Sequence, residues 1–429
     1  MGVARAIPIG LSKKMSTYTR DSVVTVEPFT RQVDGNEVII GRVETGVFLA
    51  LPAEAVDLLE HLAKGKSVGE TSDLYQQRYG EIPDLDDFLQ FLESKGIVSS
   101  GHGSQAGAAA ARRPKQQPRV RYHFANFPHG LAKRLFSIPV ISGSVALILL
   151  AAMLVIFNPV LTPRRADIYF SEQRTLSFFI LLVLSYATLY VHELAHLVAA
   201  RAVGINSRIG ISHRLWFIVA ETDLTGLWSL PKRQRILPMF AGVLIDGTSA
   251  SLLVIALFAN LQGYLPLAPL GLRLVRAMVF MYLMRFVWQF MLHIRTDFYF
   301  VIANLFNCKN LLKDTEAFLR NQMARVIPVI RRINQSGIPA SERNVIRAYS
   351  IIWVVGRALS LGVLIFITIP VAGEYCVNLF HAIRIGYSQN PGDFVDAILF
   401  SSAFLVPLAA GFALWINSLV RGRLERITT

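Results

Sequence analysis

The stretch YVHELAHLVAA at residues 190–200 places two histidines and a glutamate within an otherwise apolar run. Such groups are costly to remove from water and are rarely kept in an apolar segment without a partner. In a helix, where residues advance by about 100° each, His192 and His196 lie one turn apart on one face, with Glu193 beside them. That spacing allows two imidazoles to bind one metal ion while the glutamate acts on a bound water. The competing interpretation is that the histidines only hydrogen-bond to neighbouring helices.

The chain around this stretch is unusually apolar. Hydrophobic residues make up 53% of the 429 positions and charged residues 17%, and the mean hydropathy is +0.44. This composition is typical of a membrane protein. We therefore predict a mostly α-helical, polytopic membrane protein with about six transmembrane helices, the fourth of them interrupted by Arg285. Segments of the roughly 20 apolar residues that cross a bilayer occur at 136–157, 175–200, 236–261, 275–294, 349–373 and 395–419.

The positive charge is distributed by membrane side. The net charge is +14, which could indicate nucleic acid, but no nucleic-acid-binding motif accompanies it. If the N-terminal region is cytosolic, the inner segments between the spans carry 25 Lys and Arg and the outer segments carry 6. This bias predicts a multi-pass protein with cytosolic N- and C-termini and no nucleic-acid partner.

The N-terminal region has a different texture from the membrane region. Alternating apolar residues at 37–43 and 47–51 predict a β-hairpin, with a turn signal at 34–36. Two helices are predicted after it, one starting at Pro52 and one over 85–92. We predict a small α+β, winged-helix-like domain. The predicted organisation is a flexible N-terminus at 1–20, this domain at 21–99, a flexible and then basic linker at 100–134, and a membrane-embedded core at 135–429.

Two histidines leave a catalytic metal site short of a ligand, since such sites usually keep three protein ligands and one water. Only two cysteines are present, so the ligands must be histidines and carboxylates. The second and fourth predicted spans both run from outside to inside, which brings Asp297 to the depth of His196. We predict Asp297 as the third ligand. His293, four residues earlier, could orient a ligand, act as a fourth ligand, or form a hydrogen bond at the membrane interface.

These residues resemble the site-2 protease class of intramembrane zinc metalloproteases, and especially bacterial peptide zinc metalloproteases with an N-terminal PqqD-like domain. The resemblance implies that His192, His196 and Asp297 bind Zn²⁺ and that Glu193 is the general base. It also implies a location in the bacterial cytoplasmic (inner) membrane. The motifs that carry it are HELAH with ARAVG at 200–204, AETDLT at 220–225, KRQRI at 232–236 followed by AG at 241–242, and DFY at 297–299 with NL at 304–305.

The sequence departs from that class at two places. Phe298 follows Asp297 where the class commonly has glycine, and Val243 and Asp246 occupy positions usually held by proline and asparagine. Asp246 could steady the scissile carbonyl through a water, pair with Arg285, or compete with Asp297 for the metal.

Two segments are candidates for binding a peptide. Residues 21–99 resemble the PqqD-like fold, which implies recognition of a leader peptide at a strand edge; the alternative is a regulatory or packing domain without a ligand. Residues 209–228 are rich in β-branched and aromatic residues, which is typical of strands. The resemblance to site-2 proteases implies that this segment receives the substrate as an added strand; the alternative is an interfacial loop. An extended strand suits proteolysis, because a helical span hides its carbonyls.

The resulting expectation is a zinc metalloendopeptidase that cuts a peptide bond at the cytosolic side of the membrane, in maturation or export of a ribosomally made peptide. Its expected partners are a peptide or membrane-anchored protein substrate, the lipid bilayer, and a transporter or peptide-modifying enzymes. Two alternatives remain open. One is a non-proteolytic export or immunity component that keeps zinc for structure, and the other is a signalling protease that cuts transmembrane regulators.

Overall fold

The protein is mostly helical, with a small sheet near the N-terminus. The computed structural model describes residues 4–5, 18–35, 37–43, 45–100, 127–168, 174–388 and 391–427. The predicted flexible N-terminus and linker therefore fall largely outside the described residues. The described helices are α1 Ala53–Ala63, α2 Val68–Tyr79, α3 Leu85–Ser94, α4 His129–Leu135, α5 Ile138–Phe157, α6 Arg174–Ala202, α7 Lys232–Leu261, α8 Pro269–Gln289, α9 Asp297–Leu305, α10 Leu311–Met323, α11 Ala340–Val363, α12 Ile369–Ile385 and α13 Pro391–Ile427.

Three small sheets accompany the helices in the described part of the chain. One has the strand order β1-β5-β4-β3, the second joins β2 to β6, and the third is the hairpin β7–β8. The strands are β1 Ala4–Arg5, β2 Val24–Val26, β3 Thr30–Asp34, β4 Glu37–Arg42, β5 Val47–Pro52, β6 Val98–Ser100, β7 Arg208–Arg214 and β8 Phe217–Asp223.

The head, defined as residues 18–100, contains the predicted hairpin. Strands β4 and β5 pair antiparallel, so the predicted hairpin is confirmed. The turn signal predicted at 34–36 lies beside β4 as expected, where Gly35 adopts a left-handed φ of +66° between β3 and β4. Strand β3 was not predicted from the sequence, since its residues TRQVD are polar and one face is exposed.

Three helices pack against this sheet to form the hydrophobic core of the head. Helices α1 and α3 are the two that the sequence predicts, and α2 between them was missed. Helix α2 is weakly apolar and begins with a capping box, in which Ser67 and Glu70 satisfy each other's backbone N–H groups. The buried core comprises Val38, Ile40, Leu49 and Leu51 from the sheet with Leu58, Leu59, Leu62, Phe88, Leu89 and Leu92 from the helices.

Five helical stretches in the described residues are long and apolar enough to cross a membrane, which indicates a multi-pass membrane protein. The predicted spans at 136–157, 175–200, 236–261, 349–373 and 395–419 each overlap one of them. The fifth predicted span belongs to a longer helical unit, in which a π-helical turn joins α11 to α12. The stretches are His129–Phe157, Leu176–Ala202, Lys232–Leu261, Ala340–Ile385 and Phe394–Ser418.

The span predicted at 275–294 needs correction. A helix forms there, but α8 ends at Gln289 and the chain turns through a short 3-10 segment at Leu292–Ile294. Helix α8 is not among the five membrane-spanning candidates, because Arg273, Arg276 and Arg285 lie within its 21 residues. Within the described residues, five of the six predicted spans therefore coincide with helices that are long and apolar enough to cross a membrane.

The predicted strand-like segment after α6 forms the antiparallel hairpin β7–β8. Its tip rests on the C-terminal helix α13, where Trp216 stacks on Phe412 with ring centroids 6.0 Å apart and also contacts Trp415. The approach is close at Gly411, where an added Cβ would lie 1.9 Å from the carbonyl oxygen of Trp216. Helix α13 therefore fixes the tip of the hairpin.

The head packs directly on the membrane part of the chain. Asp34, at the end of β3, accepts a hydrogen bond of 2.8 Å from Arg235 of α7, and both side chains are buried. Glu37, at the start of β4, accepts one of 2.5 Å from Lys309, which precedes α10. Trp228 packs into a small apolar cluster with residues of β4 and β5. The head is thus held by buried contacts as well as by its covalent linker.

Candidate metal centre

Helix α6 presents the predicted motif to the interior of the protein. His192, Glu193 and His196 have exposed fractions of only 4%, 6% and 2%, whereas the preceding residues Tyr190 and Val191 are exposed. The two imidazole rings lie one helical turn apart and meet edge to face, with an interplanar angle of 75°, and their Nε2 atoms lie 3.3 Å from each other. The histidines therefore share one face, as the sequence predicts.

Asp297, the first residue of α9, completes a group of three side chains that could hold a metal ion. Its Oδ2 atom lies 3.0 Å from Nε2 of His192 and 3.4 Å from Nε2 of His196. These distances bring Asp297 together with the two histidines, in the arrangement that the sequence predicts for a third ligand. Residues 105 positions apart in the chain thus meet at one point.

The hydrogen bonds made by Nδ1 of each histidine determine which tautomer the ring adopts, and therefore whether its Nε2 atom carries a proton. Nδ1 of His192 lies 2.8 Å from Oδ2 of Asp246, and Nδ1 of His196 lies 2.7 Å from the carbonyl oxygen of Pro238. Both partners only accept, so each ring donates its Nδ1–H. Each Nε2 then presents a lone pair, and two lone pairs and a carboxylate oxygen converge. Three acceptor atoms at these distances repel one another unless a cation, either a proton or a metal ion, lies between them.

Gly242 of α7 makes room for the two rings. A Cβ added at this position would lie 2.4 Å from Nε2 of both His192 and His196. Real Cβ atoms do not approach so closely, and the neighbouring atoms belong to rings held at both ends. Glycine is therefore needed because α7 passes against the metal-facing edge of α6.

Glu193 is fixed by the hairpin. The hydroxyl of Thr222, on β8, lies 2.7 Å from Oε2 of Glu193 and 3.0 Å from its backbone carbonyl oxygen. The hydroxyl therefore donates to either oxygen and holds the side chain beside the metal group. Sequence analysis missed Thr222 as an individual residue, although its motif AETDLT was noted.

Gln289 orients Asp297 from the end of α8. Its Nε2 donates to Oδ2 of Asp297 at 3.1 Å, and its Oε1 accepts the backbone N–H of Asp297 at 3.1 Å. The same segment is closed by Thr296, whose hydroxyl donates to the backbone carbonyl of Gln289. No motif pointed to Gln289, because its role appears only when α8 turns back into α9.

Asp246 lies behind His192 and is not one of the three side chains that could hold a metal ion. One carboxylate oxygen accepts from Nδ1 of His192, and the other accepts from Nη1 of Arg285 at 3.1 Å. Of the three sequence-based alternatives, the pair with Arg285 is the arrangement that the structure contains.

His293 faces away from the metal group. Its Nε2 lies 2.7 Å from the hydroxyl of Ser360, and its ring packs so closely on Gly356 that an added Cβ would lie 2.3 Å from Nδ1. Burial, with a smaller contribution from the positive charge of Arg357, lowers the pKa of His293 below its usual value. A neutral His293 therefore joins the α8–α9 turn to α11, which favours the interface interpretation over that of a fourth ligand.

The metal group opens into a cleft of about 1100 Å³ between α6, the hairpin and the turn from α8 to α9. One wall consists of both hairpin strands, and the floor is formed by Glu193 and the three possible ligands. The cleft is large enough for several residues of an extended peptide. Further lining residues include Leu189, Phe217, Trp288 and Phe300.

Comparisons of the chain with family models, curated proteins and solved structures found no match. The resemblance to site-2 proteases and to PqqD-like domains therefore remains a prediction from the quoted motifs. The geometry of the site supports a function on its own terms.

Proposed function

We propose that this protein is a zinc metalloendopeptidase that hydrolyses a peptide bond at the cytosolic side of the membrane. The single observation that carries the proposal is the position of Glu193. It is a buried carboxylate directly beside a group of two imidazoles and one carboxylate, at the base of an open cleft. A purely structural metal site needs neither an adjacent free carboxylate nor access for a substrate.

The donor set fits zinc. Zinc–nitrogen bonds of about 2.0–2.1 Å in a tetrahedral arrangement separate neighbouring ligand atoms by about 3.4 Å. The three distances between the ligand atoms are 3.0, 3.3 and 3.4 Å. Two nitrogens and one oxygen leave a fourth position for water or substrate, as in catalytic sites. Bound zinc would polarise the substrate carbonyl and make the water more acidic.

Glu193 would then carry the proton. It accepts a proton from the attacking water and delivers it to the leaving amine, as a general base and then a general acid. Thr222 keeps the carboxylate aimed at the water through its hydrogen bond to Oε2. Burial of Glu193 excludes bulk water, which strengthens its interactions with the reacting groups.

The hairpin supplies a place for the substrate. Both strands line the cleft, and Ile211 of β7 is exposed along the strand. A substrate segment added as a strand would present its carbonyls in extended form next to Glu193, whereas a helix would keep them hydrogen-bonded. The substrate class is therefore a peptide, or a membrane-anchored protein with an unwound segment.

The biological role that we propose is maturation or export of a ribosomally made peptide, working with a transporter or with peptide-modifying enzymes. In this role the head binds the leader segment of the substrate. The support is the largely exposed edge strand β3 of the head, together with the resemblance of residues 21–99 to the PqqD-like fold. A signalling protease that cuts transmembrane regulators would use the same catalytic residues. The two roles are therefore distinguished by the substrates that the protein cleaves.

The test compares the full-length chain with its Glu193→Gln variant in detergent. Zinc per chain is measured by elemental analysis, and both proteins are incubated with a mixed-sequence library of internally quenched peptides. We expect about one zinc in each protein, and loss of hydrolysis by roughly 100-fold or more in the variant, the usual range for a lost general base. Glu374→Gln, an exposed substitution on α12, is the matched control.

Two results would contradict the proposal. Equal hydrolysis by Glu193→Gln and wild type would remove Glu193 from the reaction. Zinc in wild type without hydrolysis of any peptide, together with unchanged export in cells carrying Glu193→Gln, would favour the structural-zinc alternative. Cleavage of transmembrane peptides in vesicles, with no cleavage of soluble ones, would favour the signalling protease.

A further inference from the structure

Arg285 lies on α8 beside the candidate metal centre, in a part of the protein made of apolar helices. Its side chain is only 13% exposed. An arginine in such surroundings is costly and is kept where it has a partner or a function. It does not belong to the group that could hold the metal.

The guanidinium is held in one orientation by several neighbours. Nη1 donates to Oδ1 of Asp246 at 3.1 Å, and Nη2 donates to the hydroxyl of Thr188 at 2.7 Å and to the carbonyl oxygen of Ser185 at 3.2 Å. The ring of Tyr282 lies 5.4 Å from the guanidinium carbon, within the range of a cation–π contact. Arg285 therefore joins α8 to both α6 and α7.

Asp246 passes this anchoring on to a possible metal ligand. Its Oδ1 faces Arg285, and its Oδ2 accepts the Nδ1–H of His192 at 2.8 Å. The three side chains form one chain, in which the position of the carboxylate fixes both the tautomer and the ring angle of His192. Carboxylate partners of this kind make a histidine a better metal ligand.

The two histidines are supported in different ways. His196 donates to the backbone carbonyl of Pro238, which is neutral and is held by α7 itself. His192 depends on a side-chain carboxylate, which can rotate and carries a charge that is costly in apolar surroundings. Only His192 therefore needs a further residue, one that holds the Asp246 carboxylate in place and compensates the negative charge of that carboxylate.

We propose that Arg285 is a positioning residue for metal binding, which acts on His192 through Asp246. The inference rests on the metal centre of the proposed function, but it concerns metal affinity rather than peptide hydrolysis. Arg285 touches no metal ligand and has no part in the proton transfers assigned to Glu193.

The test measures affinity for Zn²⁺ by competition with a chromophoric chelator, without any substrate. Removing the partner of a metal-binding histidine typically weakens binding by about 10–100-fold, and we expect this loss for Arg285→Gln and for Asp246→Asn. Arg285→Lys should lose less Zn²⁺ affinity than Arg285→Gln, because lysine keeps the positive charge. It cannot reproduce the two Nη groups with which Arg285 donates to Asp246 and to α6 at the same time. Arg273→Gln, an exposed change on the same helix, is the control and should stay within about twofold of wild type, the scatter expected of a surface substitution.

The double variant Asp246→Asn/Arg285→Gln separates positioning from folding, since it buries no uncompensated charge. We expect it to bind Zn²⁺ no more weakly than Asp246→Asn alone, because both changes interrupt one chain. The visible spectrum of the Co²⁺-loaded protein should change in the same variants. Wild-type Zn²⁺ affinity and an unchanged Co²⁺ spectrum in Arg285→Gln, or in the double variant where Arg285→Gln does not fold, would overturn the proposal.

The outcome is independent of the test of the proposed function. A failure of Glu193→Gln to abolish hydrolysis would leave the effect of Arg285 on Zn²⁺ affinity intact. Conversely, unchanged affinity in Arg285→Gln would leave the role of Glu193 untouched.

Discussion

At the scale of single residues, Gly242 explains how α6 and α7 approach closely enough to form the candidate metal centre. The helix propensity of glycine is poor, costing about 1 kcal/mol relative to alanine. Glycine is nevertheless needed at this position of α7, because a Cβ at residue 242 would lie only 2.4 Å from Nε2 of both His192 and His196. The smallest residue of the site therefore sets its geometry.

Gly242→Ala should abolish metal binding while leaving the membrane helices formed. The added methyl would occupy the space in front of both Nε2 atoms, so the rings must rotate away. Zinc per chain, measured after purification, should fall from about one, the count expected for a single site, to a small fraction of that value. Gly362→Ala is the control, because a Cβ at Gly362 meets nothing within 4 Å. Full zinc in Gly242→Ala would show that the rings are less constrained than the structure indicates.

Thr222→Val should slow peptide hydrolysis without loss of metal. A hydrogen bond to a charged group is worth about 1.5–3 kcal/mol, so we expect kcat to fall by about 10–100-fold. Thr222→Ser keeps the hydroxyl and should recover most of the rate. Thr248→Val, which removes a hydroxyl bonded only within α7, serves as the comparison. An unchanged kcat in Thr222→Val would mean that Glu193 needs no positioning by the hairpin.

The sequence predicts the residues that carry the chemistry better than those that orient them. His192, His196 and Glu193 follow from helical spacing within five positions, and Asp297 follows from membrane depth. Gln289, Thr222 and Pro238 could not be predicted, because each acts through a contact made only after distant helices and strands pack together. Arg285 was visible as an anomalous charge, but its partners were not.

At the scale of elements, α13 and the hairpin β7–β8 act on each other. Gly411 allows the carbonyl of Trp216 to approach the helix, and the Trp216 ring is buried between Phe412 and Trp415. The turn itself is strained, since Leu215 has a φ of +55°. The C-terminal helix thus stabilises an otherwise isolated two-stranded sheet, which would be marginal alone.

Gly411→Leu should loosen the hairpin. A side chain at this position collides with the backbone carbonyl of Trp216 at 1.9 Å, so the tip must leave α13. Hydrogen exchange of the β7 and β8 amides should become faster, and KM for peptides should rise, because the cleft loses its wall. Gly373→Leu, at a helical glycine in open space, is the control. Unchanged exchange in both variants would exclude a stabilising role of α13.

Hydropathy predicts most of the helices and misjudges the elements with mixed character. Five apolar stretches were found because each contains a long apolar run with few charged side chains. The span predicted at 275–294 was placed too far towards the C-terminus relative to α8, since the apolar pattern continues into the 3-10 turn that precedes Asp297. Strand β3 and helix α2 escaped because tertiary packing and a capping box, rather than apolar periodicity, stabilise them.

At the scale of the whole molecule, the head is fixed to the membrane part by buried charges. Arg235 has an exposed fraction of 1%, and it both bonds to Asp34 and lies over the ring of Trp228, 4.8 Å from its centroid. Arg235 and Asp34 are separated by 201 positions along the chain. No sequence pattern indicated this contact, and the linker predicted at 100–134 led us to expect a loosely held head.

Arg235→Ala should destabilise the junction strongly, because Asp34 would remain buried without its partner. Breaking a buried pair on one side typically costs about 3–5 kcal/mol. Asp34→Ala/Arg235→Ala should be less destabilised than Arg235→Ala alone, since no charge is left uncompensated. Thermal unfolding in detergent and protease release of the head measure both effects. Arg233→Ala, a change at a neighbouring exposed arginine, is the control, and equal effects at both positions would remove the special role of the buried pair.

The rigid seat of the head on α7 has a consequence for where a substrate would be cut. A head on a free tether would let one bound peptide reach the cleft at many points along its length. A head locked in place keeps one constant span between its own docking edge and Glu193. The protein would then cleave its substrate at a constant number of residues from the bound segment. Inserting or deleting residues between the bound segment and the cleavage site should therefore shift the cleaved bond by the same number of positions.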